Sequence, residues 1–323
     1  MLSKYAYIVA ACKKYIPEIN GLLNSLDYCG NKSDVHVWHY DWPEDYLKAV
    51  QEVDWTYTLI LHKIEEPEAR EFGGEAEIVC RKRYWYAAEI GKEYDAICVL
   101  DADLIFTRDP WQFMEIAAKT GFLVGTHKEQ NKVYDHEHHL AQGKVIIEPT
   151  FWNDKDLCNC PLFMDAKLHE RALKRSWEIF ADGFPETNFR APDMDAMNIA
   201  FIEAGLYDRI IKLSNHAWLG TNESILKPYT RAVEKQDGKL YTENGQEIFC
   251  FHGQYYKRKW RECQVDNRHR CAEGYLKASF NSDNMARGSM ELLTKIFNKM
   301  CFEHKLSIEK KNYVHPELEY DAV

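Results

Sequence analysis

The sequence has no apolar run long enough to cross a membrane as a helix. Its first residues also lack the basic start and the small-residue cleavage site of a signal peptide. The ten cysteines include no Cys-x-x-Cys pair, and the closest two, Cys158 and Cys160, do not have the spacing of a zinc knuckle. We therefore expect reduced thiols, no transmembrane segment and a cytoplasmic location.

Positive charge is scarce as well. The 41 lysine and arginine residues are outnumbered by 51 aspartate and glutamate residues, which gives a formal net charge of -10. This balance disfavours broad electrostatic binding to nucleic acid or to an anionic membrane, although it permits a local basic patch. Nucleic acid is therefore a less favoured partner, and any contact with phosphate must be local.

No internal repeat, low-complexity tract or linker rich in Pro, Gly or Ser divides the 323 residues. With 46% hydrophobic and 13% aromatic residues, the chain is long enough to bury a large core. We predict one large domain over 1–262 and a C-terminal helical extension over 263–323 that packs on it. The oligomeric state does not follow from the sequence.

Short apolar runs alternate with helical patterns along the chain. Strands are predicted at 5–11, 35–40, 57–64 and 248–253, and helices at 80–92, 168–181 and 193–204. Because parallel strands need crossover connections, this alternation predicts an α/β fold with a mostly parallel sheet covered by helices. A polar, histidine-rich stretch at 125–156 predicts an excursion loop.

The stretch AICVLDADLIF at 96–106 interrupts an apolar run with two acidic residues, Asp101 and Asp103. Side chains two apart on an extended segment emerge on one face, and open α/β sheets bind ligands at the carboxyl ends of their strands. Two carboxylates this close repel each other unless a cation lies between them. Their oxygens suit Mg²⁺ or Mn²⁺, so the pattern predicts a divalent-metal site that can hold a diphosphate. The alternative is a pair of solvated turn and cap residues.

Five segments, in this order, resemble the GT-A glycosyltransferases, and in particular the retaining family of glycogenin and the bacterial lipooligosaccharide galactosyltransferases, glycosyltransferase family 8. The segments are IVAACKKY at 8–15, RKRYWYAAEIGKEYDAICVLDADLIF at 81–106, CNCPLFMD at 158–165, PDMDAMN at 192–198 and FHGQYYKRKW at 251–260. The resemblance implies a GT-A, Rossmann-like fold. It also implies metal-dependent transfer of a hexose, glucose or galactose, from a UDP-sugar to a hydroxyl acceptor with retention of configuration.

Metal and phosphate contacts are implied by the same resemblance. Asp101, Asp103 and His252 would bind Mn²⁺ or Mg²⁺, and neutral imidazole is an ordinary ligand for Mn²⁺. Lys259 would contact the diphosphate as it leaves. Ala102 and Gly253 lie beside these residues and are assigned to the donor-binding set with them. A hydrogen-bonded loop histidine and a solvated basic face remain the alternatives for His252 and Lys259.

Further residues are assigned to the sugar nucleotide through the resemblance. Positions that border the uracil and ribose are Ala10, Ala11 and Tyr15, and Arg83 would reach the sugar or phosphate, with Arg81 and Lys82 as competitors. Asn159 and Asp193 would contact the donor sugar and form the catalytic set with Lys259. Asp193 has an alternative role as a first-turn carboxylate that complements the helix dipole.

Several positions depart from the family pattern. They are Cys12 and Lys14 in the nucleotide-binding turn, Cys160 and Pro161 in place of a small residue and glycine, and Met194 in place of glutamine. A nucleotidyltransferase and an inactive sugar-nucleotide-binding protein are the alternative functions. Histidines 136, 138 and 139 are either a separate metal site or part of a polar loop. A glycan, a lipid-linked sugar, a protein hydroxyl or a modified nucleic-acid base could each be the acceptor, and the acidic balance makes the last less favoured.

Overall fold

The computed structural model describes residues 4–65, 81–127, 157–183, 192–206, 209–213, 218–219, 232–236, 238–242, 245, 247–252, 292, 295–296 and 298–309. The predicted loop at 128–156, the histidines within it, and Gly253 and Lys259 lie outside these ranges. Within the ranges, the structure describes Asn159, Asp193 and His252 by their backbone alone.

Twelve strands occur in the described residues. In chain order they are β1 (Tyr5–Cys12), β2 (Asp34–Tyr40), β3 (Leu59–Lys63), β4 (Ala96–Val99), β5 (Leu104–Phe106), β6 (Leu123–His127), β7 (Leu157–Met164), β8 (Ile210–Leu213), β9 (Trp218–Leu219), β10 (Ala232–Glu234), β11 (Leu240–Thr242) and β12 (Cys250–His252). The strands predicted at 5–11, 35–40, 57–64 and 248–253 are therefore confirmed, with ends that shift by a few residues.

Six α-helices have both ends in the same residues, and residues 292, 295–296 and 298 are helical as well. The six helices are α1 (Ile16–Tyr28), α2 (Glu44–Glu52), α3 (Arg83–Ile90), α4 (Trp111–Thr120), α5 (Ala166–Gly183) and α6 (Pro192–Glu203). Short 3₁₀ turns precede α1 at Lys13–Tyr15 and follow α3 at Gly91–Glu93, and a π-turn spans Lys299–Glu303. The predicted helices at 80–92, 168–181 and 193–204 correspond to α3, α5 and α6.

Seven strands form the main sheet in the order β3-β2-β1-β4-β7-β6-β8. Four of its six pairings are parallel, and β7 runs antiparallel to both of its neighbours, β4 and β6. The mostly parallel α/β sheet predicted from the sequence is confirmed. The predicted excursion loop at 125–156 was wrong at its start, because β6 continues to His127.

The segment 96–106 is two strands and not one. β4 ends at Val99, and β5 begins at Leu104 in a second sheet with the order β5-β12-β9. The turn between them carries both aspartates and directly follows the carboxyl end of β4. The prediction that Asp101 and Asp103 lie on one extended segment was therefore wrong, because residues 101–103 form a turn, whereas their place at the end of the strand was right. That both carboxylates emerge on one face stays a prediction.

The core lies on both faces of the main sheet, because alternate residues of each strand point to opposite sides. Tyr7 and Val9 of β1 pack on the face covered by α1, α2 and α4, whereas Ala6 and Ile8 pack on the face of α3, α5 and α6. All four side chains are fully buried. The two buried faces explain why β1 reads as a continuous apolar run.

The segment 298–309 packs against α1, and two asparagine side chains of α1 donate hydrogen bonds to the backbone of the segment. The side-chain amide of Asn20 donates to the carbonyl oxygens of Cys301 and Leu306 at 2.7 and 2.9 Å. The amide of Asn24 donates to Met300 and Leu306 at 2.8 and 3.0 Å. The division at residue 262 stays a prediction.

In the part of the chain that the structure describes, no helix combines the length and apolar character needed to span a bilayer.

Candidate functional site

The candidate site lies where β1 and β4 end. Ala10 and Ala11 lie near the carboxyl end of β1 and are buried. Because both side chains are small, these two residues do not themselves cover the backbone at this edge. Tyr15 follows in the 3₁₀ turn, half-buried, and packs against the apolar clusters of both faces of the sheet. The structure thus brings the three predicted nucleotide-binding residues to one edge.

The turn that holds Asp101, Ala102 and Asp103 is fixed at both of its ends. Before the turn, the amide N–H of Leu100 donates to the carbonyl oxygen of Ile8 in β1 at 2.9 Å. After the turn, the amide N–H of Phe106 donates to the Ser25 hydroxyl in α1 at 3.0 Å. Asp103 and Ala102 are buried, whereas Asp101 is only half-buried. A turn anchored in this way presents its carboxylates in a defined position.

Arg83 contacts the first of the two aspartates. Its Nη2 atom lies 2.7 Å from Oδ1 of Asp101, and its side chain is buried at the start of α3. Lys82 lies instead with its ammonium group 5.6 to 5.9 Å from the ring centroids of three aromatic residues, Trp85, Tyr86 and Trp177. The structure therefore shows that Arg83 contacts the aspartate turn, which helix phase alone could not settle.

Cys160 contacts the other oxygen of the same carboxylate. Its Sγ atom lies 2.8 Å from Oδ2 of Asp101, and the thiol is the donor. Cys160 lies on β7, the antiparallel neighbour of β4, and the peptide bond that links it to Pro161 is cis. The sequence marks Cys160 only as a departure from the family pattern. The contact depends on β7 lying next to β4, and no local sequence signal specifies that order.

His252 is brought to the turn through the second sheet. It is the last residue of β12, and the antiparallel register places it directly opposite Leu104, the residue after Asp103. Among the side chains that the structure describes, no group of three His, Cys, Asp or Glu residues could hold a metal ion. The His252 side chain is not among them, so the metal set of Asp101, Asp103 and His252 stays a prediction.

The donor set of the turn fits a divalent metal chemically. Carboxylate oxygens are hard ligands that suit Mg²⁺ or Mn²⁺, and the Asp101 side chain keeps 18% of its exposure, so solvent reaches it. Asn159 lies on β7, one residue before Cys160, and Asp193 lies in the first turn of α6. Their backbone positions are described, and their predicted contacts with a sugar stay predictions.

A second polar cluster lies on the α3 face near the amino ends of β2 and β4, and it was not predicted. The Tyr94 hydroxyl donates to Oδ2 of Asp34 at 3.1 Å, and His36 Nε2 lies 2.7 Å from the same hydroxyl. Because the Tyr94 proton is used, His36 Nε2–H is the donor to Tyr94, and His36 Nδ1 accepts from His62 Nε2–H at 2.9 Å. Burial, together with the facing His62, lowers the pKa of His36 to about 4, which keeps the ring neutral.

Comparison with known proteins gives a likeness of fold only. No family model and no curated protein matches this chain in sequence. The structure is similar to that of an active-site mutant of LgtC, with a TM-score of 0.54 and 11% identity, over 83% of this chain and 94% of that one. The GT-A fold predicted from the sequence is thereby confirmed as a fold, whereas membership of glycosyltransferase family 8 stays a prediction.

Two further structures show weaker likeness. The apo form of the bifunctional glycosyltransferase WbbM gives a TM-score of 0.47 at 11% identity, over 68% of this chain and 40% of that one. The apo form of mouse xyloside xylosyltransferase 1 gives a TM-score of 0.48 at 13% identity, over 78% of this chain and 98% of that one. The chain thus spans less than half of the WbbM chain that it matches.

Proposed function

We propose that the protein is a glycosyltransferase that moves a hexose from a UDP-sugar to a hydroxyl acceptor with the help of a divalent metal. The observation that carries the proposal is the anchored turn of Asp101 and Asp103 at the carboxyl end of β4, beside the end of β1 and opposite the end of β12. This is where open α/β sheets bind nucleotides. The likeness of fold to the LgtC mutant supports the same reading.

Each part of the site has a role in this reaction. Ala10, Ala11 and Tyr15 would border the nucleoside, and the two alanines are small enough to let a base approach the backbone. Asp101, Asp103 and His252 would hold Mn²⁺ or Mg²⁺, which when bound offsets the negative charge that grows on the departing diphosphate. Lys259 would contact that diphosphate, and Arg83, which contacts Asp101, would reach the sugar or phosphate. Asn159 and Asp193 would orient the sugar.

Charge stabilisation is the main catalytic effect that this set of residues can supply. Preorganised cations act most strongly on charge that develops in the transition state, so a protein nucleophile is not required. Met194 occupies the position of the family's glutamine, and a thioether cannot replace an amide in hydrogen bonding. We therefore expect retention of configuration through transfer on the same face of the sugar, with the leaving phosphate accepting the proton of the acceptor hydroxyl.

The binding test is titration of UDP into the protein with and without Mn²⁺, for the wild type and for Asp103→Asn. We expect UDP affinity to rise with Mn²⁺ in the wild type and to lose that rise in the variant. Asp95→Asn is the matched control, because Asp95 lies at the opposite end of β4 with an exposed side chain. The proposal would be contradicted if UDP affinity changed neither on adding Mn²⁺ nor on replacing Asp103.

The activity test is a screen of UDP-, GDP- and dTDP-sugars for Mn²⁺-dependent hydrolysis, which reveals the donor before the acceptor is known. The anomer of the first product is then read by NMR, and an inverted product excludes retention. Mn²⁺-dependent UDP binding without hydrolysis of any donor would indicate the inactive sugar-nucleotide-binding protein. Formation of a nucleotide sugar from a sugar phosphate and a nucleoside triphosphate would indicate the nucleotidyltransferase.

A further inference from the structure

The Asp101 carboxylate is contacted by two side chains, one on each oxygen. Arg83 lies 2.7 Å from Oδ1, and the Cys160 thiol donates to Oδ2 at 2.8 Å. Both contacting residues are buried, whereas the Asp101 side chain keeps 18% of its exposure. The carboxylate is therefore oriented from within the protein and remains accessible to a ligand.

The two contacts come from separate elements. Arg83 begins α3, which covers one face of the main sheet, and Cys160 lies on β7, which pairs with β4 in the register Val99 opposite Leu162. Rotation of the carboxylate about its last bond would break at least one of these contacts. A side chain held at both oxygens loses little conformational freedom when it binds a cation, which favours binding.

We propose that Cys160 is a positioning residue for the candidate metal ligand Asp101, with its thiol fixing the orientation in which that carboxylate meets a divalent cation. This inference rests on the proposed function, since it assigns the metal to the Asp101 and Asp103 turn. Cys160 acts through Asp101, because its thiol hydrogen is donated to Oδ2 of that carboxylate. Residues that orient a metal ligand typically change metal affinity by about 10- to 100-fold when they are replaced.

Two variants test whether Cys160 acts as a hydrogen-bond donor or only fills space. Cys160→Ala removes the donor, so Mn²⁺ affinity should fall by about 10- to 100-fold. Cys160→Ser keeps a hydroxyl donor in nearly the same place, so affinity should stay close to that of the wild type. Cys98→Ala is the matched control, because Cys98 is another buried cysteine of the main sheet whose thiol donates only to a backbone carbonyl, at 3.9 Å.

The measurement is the dissociation constant of Mn²⁺ from electron paramagnetic resonance of the free ion, with UDP present and no donor sugar. Urea unfolding of each variant confirms that it is folded under these conditions. If Cys160→Ala does not fold, Cys160→Val takes its place, because valine fills the volume but donates no hydrogen bond.

The outcomes distinguish this inference from the proposed function. A wild type that binds Mn²⁺, with the donor-lacking variant equally tight, overturns the role of Cys160 and leaves the proposed function standing. A Cys160→Ser variant as weak as the donor-lacking one also overturns it, because the donor would then have no effect. A wild type that binds no Mn²⁺ in the presence of UDP removes the proposed function and this inference together.

Discussion

Arg83 and Asp101 form an ion pair in which the charged atoms lie 2.7 Å apart and the arginine side chain keeps only 7% of its exposure. Removing one partner of a buried pair strands the other charge, typically at a cost of ~3–5 kcal/mol. We expect Arg83→Met to lower the free energy of unfolding by about 3 kcal/mol, the low end of that range, because Asp101 is partly exposed.

The control for this prediction is Arg175→Met, measured by urea unfolding under the same conditions. Arg175 pairs with Glu203 at 2.9 Å, and the two side chains keep 41% and 40% of their exposure. Exposed pairs contribute at most about 1 kcal/mol, so this variant should stay close to the wild type. Equal losses in the two variants would contradict the assignment of Arg83 as a buried partner.

Acid should weaken the fold through His36. In the unfolded chain its pKa is about 6.5, whereas burial and the facing His62 lower the folded value to about 4, against the opposing effect of Asp34. Above pH 6.5 both states are neutral, and between pH 6.5 and 4 only the unfolded chain takes up the proton. Stability should therefore fall as pH falls through this window, by up to about 3 kcal/mol, and His36 should add nothing further below it.

The variant His36→Gln tests this, because an amide does not titrate. Unfolding free energies of the wild type and the variant are compared at pH 6.5 and pH 4.5. The wild type should lose more stability than the variant between these two values. His39, whose pKa burial also lowers to about 4, titrates in both proteins and cancels in the comparison. Identical losses would show that His36 is already protonated in the folded state.

Asn24 should be essential for docking the segment 298–309. Its amide donates to the carbonyl oxygens of Met300 and Leu306, and its oxygen accepts the amide N–H of Leu306 at 3.0 Å. A buried peptide group left without a partner costs about 1–3 kcal/mol. We expect Asn24→Ala to lower the free energy of unfolding by at least ~2 kcal/mol and to expose the segment to limited proteolysis.

Asn24→Asp is the informative companion to Asn24→Ala. It keeps the volume and the acceptor for Leu306 N–H, but it turns a carboxylate oxygen toward two carbonyl oxygens. It should therefore destabilise the protein at least as much as the alanine variant. A near-normal Asn24→Asp protein would mean that packing, and not hydrogen bonding, attaches the segment.

We expect Gly21→Ala to destabilise the protein, because the added methyl group has no space. In an ordinary helix interior, glycine to alanine stabilises by about 1 kcal/mol. Here the added Cβ would lie 2.6 Å from Cys301 Sγ and 2.8 Å from the Ile105 side chain, both in the buried core. Overpacking of this kind costs about 1–3 kcal/mol, so the clash outweighs the gain in helix propensity. Gly21→Ala should lower the thermal midpoint, and a raised midpoint would contradict the packing described for this segment.

Much of the sheet could be predicted because its strands carry their own signal. Buried parallel strands read as continuous apolar runs, so β1, β2 and β3 were located to within two residues. The break between β4 and β5 could not be found in this way, because AICVL and LIF read as one run. What separates them is the pairing of β5 with β12, a strand that lies far along the chain.

The site divides in the same manner. Asp101 and Asp103 could be found from the sequence because they are charges within an apolar run. Arg83 could be named as a candidate contact for the sugar or phosphate from the resemblance alone. The contact of Cys160 with Asp101 depends on β7 lying beside β4, and the histidine cluster depends on β2 lying beside β3. Such contacts arise from the order of strands in a sheet, which local residue patterns do not encode.

The pairing of β5 with β12 makes the aspartate turn a product of late synthesis. The neighbouring hydrogen bond from the Thr107 hydroxyl to the Ile248 carbonyl oxygen joins groups 141 positions apart. A nascent chain that has emerged through β4 can already align β1, β2 and β4, but β12, the strand that closes the far side of the turn, has not yet been synthesised. The aspartate turn is therefore completed only after translation has passed residue 252.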